Sequence, residues 1–210
     1  KPLNNYRLRD VYKSKNVIFS SNNFQKKMIY DMTNKKLRFY FNKIKINNEF
    51  IKKSNHLYNN FFNKKDKVLG IHFRGSTYKV ARGHALPPTI SLMIKNISYL
   101  MNKYKYNKIF LVTEEQEYLS ALKKKYSDRC LYLNNYRMNK IDSFKIYPRN
   151  NHRYKLGKEI LLDTLMLSKC DGLSYIKSNV ISAAILLSKK KQKKHEIFLG
   201  FNSRNKYLAR

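Results

Sequence analysis

Residues 68–79, VLGIHFRGSTYK, form a short apolar run that closes on a histidine, an arginine and a glycine. The run predicts a strand emptying into a loop. Alternation along that strand puts Gly70, His72 and Arg74 on one face and Ile71 and Phe73 on the other, so the two basic side chains point the same way. In open α/β sheets ligands bind beyond the carboxyl ends of the strands, where His72 and Arg74 would sit, and Gly75 would let the backbone turn sharply beside them. An anion receiver is the first expectation. The competing reading is that His72 packs in the core and Arg74 pairs with a carboxylate.

The composition is that of a folded protein: 42% of the 210 residues are hydrophobic, enough to build a core in one or two domains. No stretch approaches the roughly 18 uninterrupted apolar residues of a membrane span, so the segment itself reads as soluble. Lys1 is not an initiator methionine, which leaves room for a preceding signal or anchor. Cys130 and Cys170 have no CxxC partner and too few neighbours for a zinc site or a disulfide framework, and both read as buried thiols. The formal charge of +32 points toward phosphate-bearing partners. Most of that excess is lysine, spread along the whole chain amid abundant Asn, Tyr and Ile, as an AT-rich coding sequence would produce. Runs such as Lys123-Lys124-Lys125 and Lys189-Lys190-Lys191 fall at expected helix ends, where cations complement the helix dipole.

Upstream of the opening strand, residues 16–20 (NVIFS) suggest a short strand and 22–46 and 49–62 two helices. This part supplies almost no repeating strand signal, so residues 1–66 read as the remnant of a preceding domain. The polar break at 63–67 (NKKDK) sets the boundary. Beyond it the pattern is regular. Pro87-Pro88 opens a helix with Ile90, Met93, Ile94, Ile97, Leu100, Met101 and Tyr104 on one face. A strand at 108–112 (KIFLV) leads to Thr113-Glu114-Glu115-Gln116, whose spacing fits a capping box, and to a helix through Tyr126. A third strand, 130–133 (CLYL), is followed by a long loop, 134–153, of the kind that carries function in compact domains. A helix at 156–169 and a strand at 172–176 come next. Ser178-Asn179 then cap a helix through Ser188, and 195–199 (HEIFL) makes a last strand. Alternation of this kind predicts a parallel, Rossmann-like sheet with helices on both faces.

The helix at 156–169 is apolar nearly all round, yet Asp163 falls on one stripe with Leu156, Ile160 and Leu167. An unpaired buried carboxylate costs several kcal/mol. Asp163 must therefore meet hydrogen-bond donors, from either a structural partner or a ligand.

Three blocks in this order resemble the GDP-fucose-dependent fucosyltransferases, the group that includes the α1,6-, rhizobial nodulation and protein O-fucosyltransferases. The first is Gly70-Ile-His-Phe-Arg-Gly75 with Gly83-His84 and Pro87. The second is Ile109-Phe-Leu-Val-Thr-Glu-Glu115. The third joins Tyr154-Lys-Leu-Gly-Lys-Glu159, Leu161-Leu-Asp163, Leu167-Ser-Lys-Cys-Asp171 and Ser178-Asn-Val180. The match covers 68–199. It implies the nucleotide-sugar lobe of a GT-B-like, metal-independent, inverting transferase over 67–210, with a partial, mainly helical acceptor-side lobe over 1–66.

The resemblance also assigns roles. Arg74 would hold the β-phosphate and stabilise the leaving GDP, beside Gly75, while His72 and Asp163 would recognise guanine. Ser178 and Asn179 would open a helix whose N–H groups cradle the pyrophosphate. Glu114, Glu115 and Glu159 are the candidate acid/base residues; no metal ligand and no cofactor beyond the GDP-sugar donor is expected. The implied acceptor is a glycan or glycolipid. Peripheral contact with an anionic membrane fits the charge, and no specific nucleic acid is expected. The implied location is cytoplasmic if the chain is bacterial and the secretory-pathway lumen if it is eukaryotic.

The chain departs from the family pattern where Gly75-Ser76-Thr77 follows the arginine without an acid, and where Lys177 and Ile181 replace common serines. Two rival readings therefore stand beside the transferase: a basic module for RNA or anionic membrane, supported by the charge and the 17 tyrosines, and an inactive relative that binds a nucleotide sugar.

Overall fold

The computed structural model describes residues 39, 43–75, 84–138 and 147–200. The chain divides into two compact units, residues 1–44 and 45–210. The expected strand at 16–20 and nearly all of the expected helix at 22–46 lie outside the described residues. The second unit contains, in order, α1 (Asn48–Phe61), β1 (Val68–Phe73), α2 (Ile90–Tyr104), β2 (Lys108–Thr113), α3 (Gln116–Tyr126), β3 (Cys130–Leu131), α4 (His152–Leu167), β4 (Gly172–Tyr175), α5 (Asn179–Leu187) and β5 (Lys193–Glu196).

The five strands form one sheet in the order β3-β2-β1-β4-β5, and every pairing is parallel. Every residue of β1 is buried, as expected for a central strand covered on both faces. On one face Leu69, Ile71 and Phe73 pack with Met93, Ile97 and Leu100 of α2 and Leu119 and Leu122 of α3. Burial of each such side chain contributes about 1.5–3 kcal/mol. On the other face Gly70 allows a close approach: a Cβ there would stand 2.8 Å from Leu173 Cδ2 and 3.0 Å from Cys170 Sγ and Leu167 Cδ2. Cys130 and Cys170 are both free and buried.

The strand order sets the position of the crevice. The chain builds outward from β1 through β2 to β3, then returns to place β4 on the other side of β1. The carboxyl ends of β1 and β4 therefore flank the point where the winding reverses, which is where open α/β sheets bind ligands.

Several boundaries differ from those expected on sequence. The unit containing the sheet begins at residue 45, not 67, so α1 belongs with it. Tyr58 Oη donates to the Lys169 carbonyl at 3.2 Å, Lys169 Nζ donates to Asn55 Oδ1 at 2.6 Å, and the ring of Phe62, just past α1, meets Phe110 edge-on. The polar run at 63–67 is a turn between elements of one unit, and its charge says nothing of a boundary. The third strand is two residues long rather than four, and α4 starts at His152, four residues before its first apolar periodic position. The last strand is Lys193–Glu196, not 195–199. It is an exposed edge strand, and edge strands carry charge instead of the apolar run that marks a buried one.

Candidate active site

Arg74 and Gly75 leave the carboxyl end of β1, while Ser178 starts α5 after β4. Between them lies a cavity of about 80 Å³ lined by, among others, His72, Arg74, Glu114, Asn135, Glu159, Asp163 and Val180. That is well below the roughly 300 Å³ of a pocket enclosing a whole drug-sized ligand. It is the floor of a cleft that can seat one part of a ligand, such as a planar ring.

His72 is 3% exposed. Burial first, and the Arg74 charge second, push its pKa down to about 3, so the ring is neutral at ordinary pH. Its Nδ1 lies 3.2 Å from Ser178 Oγ, which also accepts the Ile181 N–H and caps α5. The hydroxyl can still donate its own proton to Nδ1, and in that tautomer the ring proton sits on Nε2. Ser178 is committed to these two contacts, so what α5 offers a ligand is the backbone of its first turn, where Val180 borders the cavity.

Arg74 Nη2 forms an ion pair with Glu114 Oε2 at 3.0 Å. This contact matches the competing reading of an arginine paired with a carboxylate, yet it leaves the guanidinium in the cavity wall. Glu114 comes from the end of β2, so adjacent strands hold acid and base together across the carboxyl edge. His84 lies near enough that burial and the Arg74 charge both lower its pKa.

Gly75 is needed for a reason other than the expected sharp turn. Its φ lies outside the left-handed region, and a Cβ at this position would collide with the Glu115 carboxylate. The expected capping box at Thr113 and Gln116 does not form. Glu115 is the N-cap of α3 without a side-chain cap bond, and Thr113 Oγ1 instead accepts the Glu115 N–H at 3.2 Å. The acids are consumed by other contacts: Glu114 by Arg74, and Glu115, 4% exposed, beneath Gly75.

Asp163 lines the cavity, and its stripe on α4 forms the cavity wall together with Leu156 and Ile160. The stripe is core only at its ends, where Leu156 and Leu167 are buried; Ile160 remains 38% exposed, and the helix also buries Leu162, Leu165 and Met166. Burial pushes the Asp163 carboxyl up to about 7 against the lowering effects of the Asn135 hydrogen bond and of the Arg137 charge. The surrounding protein desolvates the carboxylate.

Glu159 accepts from both Nη1 and Nη2 of Arg149 at 2.7 Å. The same guanidinium lies over the Tyr136 ring and donates Nε–H to His152 Nδ1. The two-pronged ion pair fixes the plane of the Glu159 carboxylate. Its geometry is that of a strut joining the β3–α4 connection to α4.

Sequence reasoning missed Asn135, Tyr136, Arg137 and Arg149, all within the segment read as a long loop. The available signal was the position of that loop after a strand, at the sheet's carboxyl edge. No spacing rule marks the individual residues.

No family model and no curated protein matches the chain. Among solved structures, the chain resembles NodZ alpha-1,6-fucosyltransferase soaked with GDP-fucose, at 19% identity and a TM-score of 0.48. It also resembles fucosyltransferase NodZ from Bradyrhizobium, at 20% and 0.47, and POFUT1 in complex with GDP-fucose, at 9% and 0.43. These alignments cover 72%, 72% and 73% of this chain, and in each case 46% of the other. The chain therefore spans about half the length of the structures it resembles.

Proposed function

We propose that this chain carries the donor-binding lobe of an inverting glycosyltransferase that takes GDP-fucose and delivers the sugar to a glycan or glycolipid acceptor. The observation that supports the reading is the convergence of His72, Arg74, Asp163 and the first turn of α5 on one cleft at the switch point of a parallel sheet.

In this reading the planar base enters between His72 and Asp163. In the tautomer whose Nδ1 accepts from Ser178, neutral His72 offers Nε2–H to an acceptor on the base, and Asp163, ionised as pH rises through about 7, accepts from guanine N1–H and the exocyclic amine. Arg74 takes the β-phosphate. As the bond from the sugar to GDP breaks, negative charge grows on the β-phosphate, and the guanidinium and the N-terminus of α5 stabilise it in place of a metal ion. Glu114 orients Arg74 while tempering its charge. Glu114, Glu115 and Glu159 are the candidates for deprotonating the acceptor hydroxyl, Glu114 and Glu159 each held by a guanidinium. Lysine-rich surfaces would assist docking on an anionic membrane where the acceptor is lipid-linked.

The test is a thermal-shift series with GDP, GDP-fucose, UDP and ADP. A ligand at a hundred times its Kd stabilises by about 2.7 kcal/mol. GDP and GDP-fucose should raise Tm well above UDP and ADP. Equal shifts from all four, or none, would sink the reading.

A further inference from the structure

The segment after β3 is built to hold one side chain against Asp163. Arg137 folds back on it, Nη1 donating to the Asn135 carbonyl at 3.0 Å and Nη2 to the Leu133 carbonyl at 2.6 Å. The Arg137 guanidinium also lies over the Tyr132 ring. The far end is tied to the end of β2, where Met138 N donates to the Glu114 carbonyl at 2.9 Å and Met138 bridges Glu115. Between these two anchors, Asn135 extends its carboxamide into the cavity wall and Nδ2 donates to Asp163 Oδ2 at 2.8 Å. Facing a carboxylate, the amide must present its NH2 group. Among the described residues, no hydrogen bond reaches Asp163 Oδ1.

Resting on the donor-site reading above, we propose that Asn135 is a specificity-determining positioning residue: by holding Oδ2 of Asp163 it fixes the carboxyl plane, keeps the group an acceptor and presents Oδ1 to the edge of the base. An amide suits this task because it donates at every pH and carries no charge of its own. Guanine offers two donors, N1–H and the 2-amino group, whereas adenine offers an acceptor at N1. A carboxyl kept ionised rejects adenine by leaving its N1 opposite an oxygen lone pair. A protonated Oδ1–H would instead satisfy adenine N1 and lose the guanine N1–H contact. Arg137 from the clamped segment and Glu159 on the same helix act on the Asp163 charge, and His72 and Arg74 from the end of β1 and Glu114 from the end of β2 line the same cavity. Of these, Glu159 and Glu114 are neutralised by Arg149 and Arg74, and His72 is uncharged. The Asn135 hydrogen bond lowers the Asp163 pKa against its burial.

The experiment compares the wild-type chain with Asn135→Ala. Arg137 grips only backbone carbonyls at 133 and 135, so the truncation leaves the clamp in place. Asn135→Ser, which restores a shorter donor, serves as a second variant. GDP and ADP affinities are measured by calorimetry from pH 5.5 to 8.5, and the Asp163 carboxyl is titrated by carbon NMR without ligand. Loss of one hydrogen bond to a charged group moves the carboxyl titration, and the pH below which GDP affinity falls, upward by about one pH unit. The GDP preference over ADP at pH 7 should drop at least fivefold in Asn135→Ala and recover in part with serine. A wild type that prefers GDP, together with an Asn135→Ala whose preference and carboxyl titration are unchanged, overturns the role of Asn135 alone. A wild type without preference for GDP overturns the donor-site reading and this role with it.

Discussion

His72→Gln and Asp163→Asn should tilt the pH dependence of stability in opposite directions. His72 has its pKa held at about 3 in the folded protein against an ordinary 6.5, so the unfolded chain takes up a proton that the folded one refuses. Its contribution is complete above pH 6.5 and is lost as pH falls toward 3, at about 1.4 kcal/mol per pH unit, or about 2 kcal/mol between pH 7 and 5. Asp163 runs the other way, with a pKa of about 7 against 3.8. The folded protein keeps a proton that the unfolded chain releases above pH 3.8, so Asp163 destabilises at neutral pH. That penalty is relieved as pH falls from 7 to 3.8, by about 2.5 kcal/mol between pH 7 and 5. In the wild type the two nearly cancel. Urea unfolding at pH 7 and pH 5 reads the balance. Relative to wild type over that interval, Asp163→Asn should lose about 2–3 kcal/mol more and His72→Gln about 2 kcal/mol less. Both replacements keep hydrogen-bonding shape, so packing should change little. Three parallel pH dependences, within about 0.5 kcal/mol, would refute the assignment of both charge states.

Arg74→Ala should weaken GDP about 10- to 100-fold in calorimetry, the loss of a charge-assisted contact, and Arg74→Lys should recover little of it because lysine lacks the planar fork; unchanged affinity would remove Arg74 from the site. Arg149→Met should cost about 1–3 kcal/mol in denaturant unfolding, because it strands a half-buried Glu159. If Glu159 were instead the proton acceptor, Glu159→Gln would abolish transfer while leaving stability near wild type. Gly70→Ala should cost about 1–3 kcal/mol, since a methyl group there must displace Leu167, Cys170 and Leu173; wild-type stability would show that these side chains can give way.

The alternation of apolar runs and amphipathic helices from Val68 onward made the parallel sheet legible, because a buried strand and a one-faced helix each leave a strong local period. The HxR at the end of β1 and the acid on the α4 stripe were visible for the same reason: each breaks a pattern that burial would otherwise make uniform. What sequence could not supply were partners distant along the chain. Glu114 meets Arg74 only because β2 lies beside β1, and Asn135 reaches Asp163 only because Arg137 folds its segment back. The role of Gly75 was misjudged on the same ground, since the Glu115 carboxylate against it comes from another strand end. The edge strand β5 was expected at 195–199 and lies at Lys193–Glu196, because its pairing is encoded in backbone bonds to β4 rather than in apolar side chains.

The central claim, that the carboxyl-edge cleft receives a guanine nucleotide, is tested most directly by titrating GDP into isotope-labelled protein and mapping amide shifts. Saturable changes confined to His72, Arg74, Asn135, Asp163, Asn179 and Val180 are expected, insensitive to moderate salt because few phosphates are engaged. Changes centred on exposed lysines such as Lys67, Lys103 and Lys193 at the opposite edge, fading as salt is raised, would contradict it.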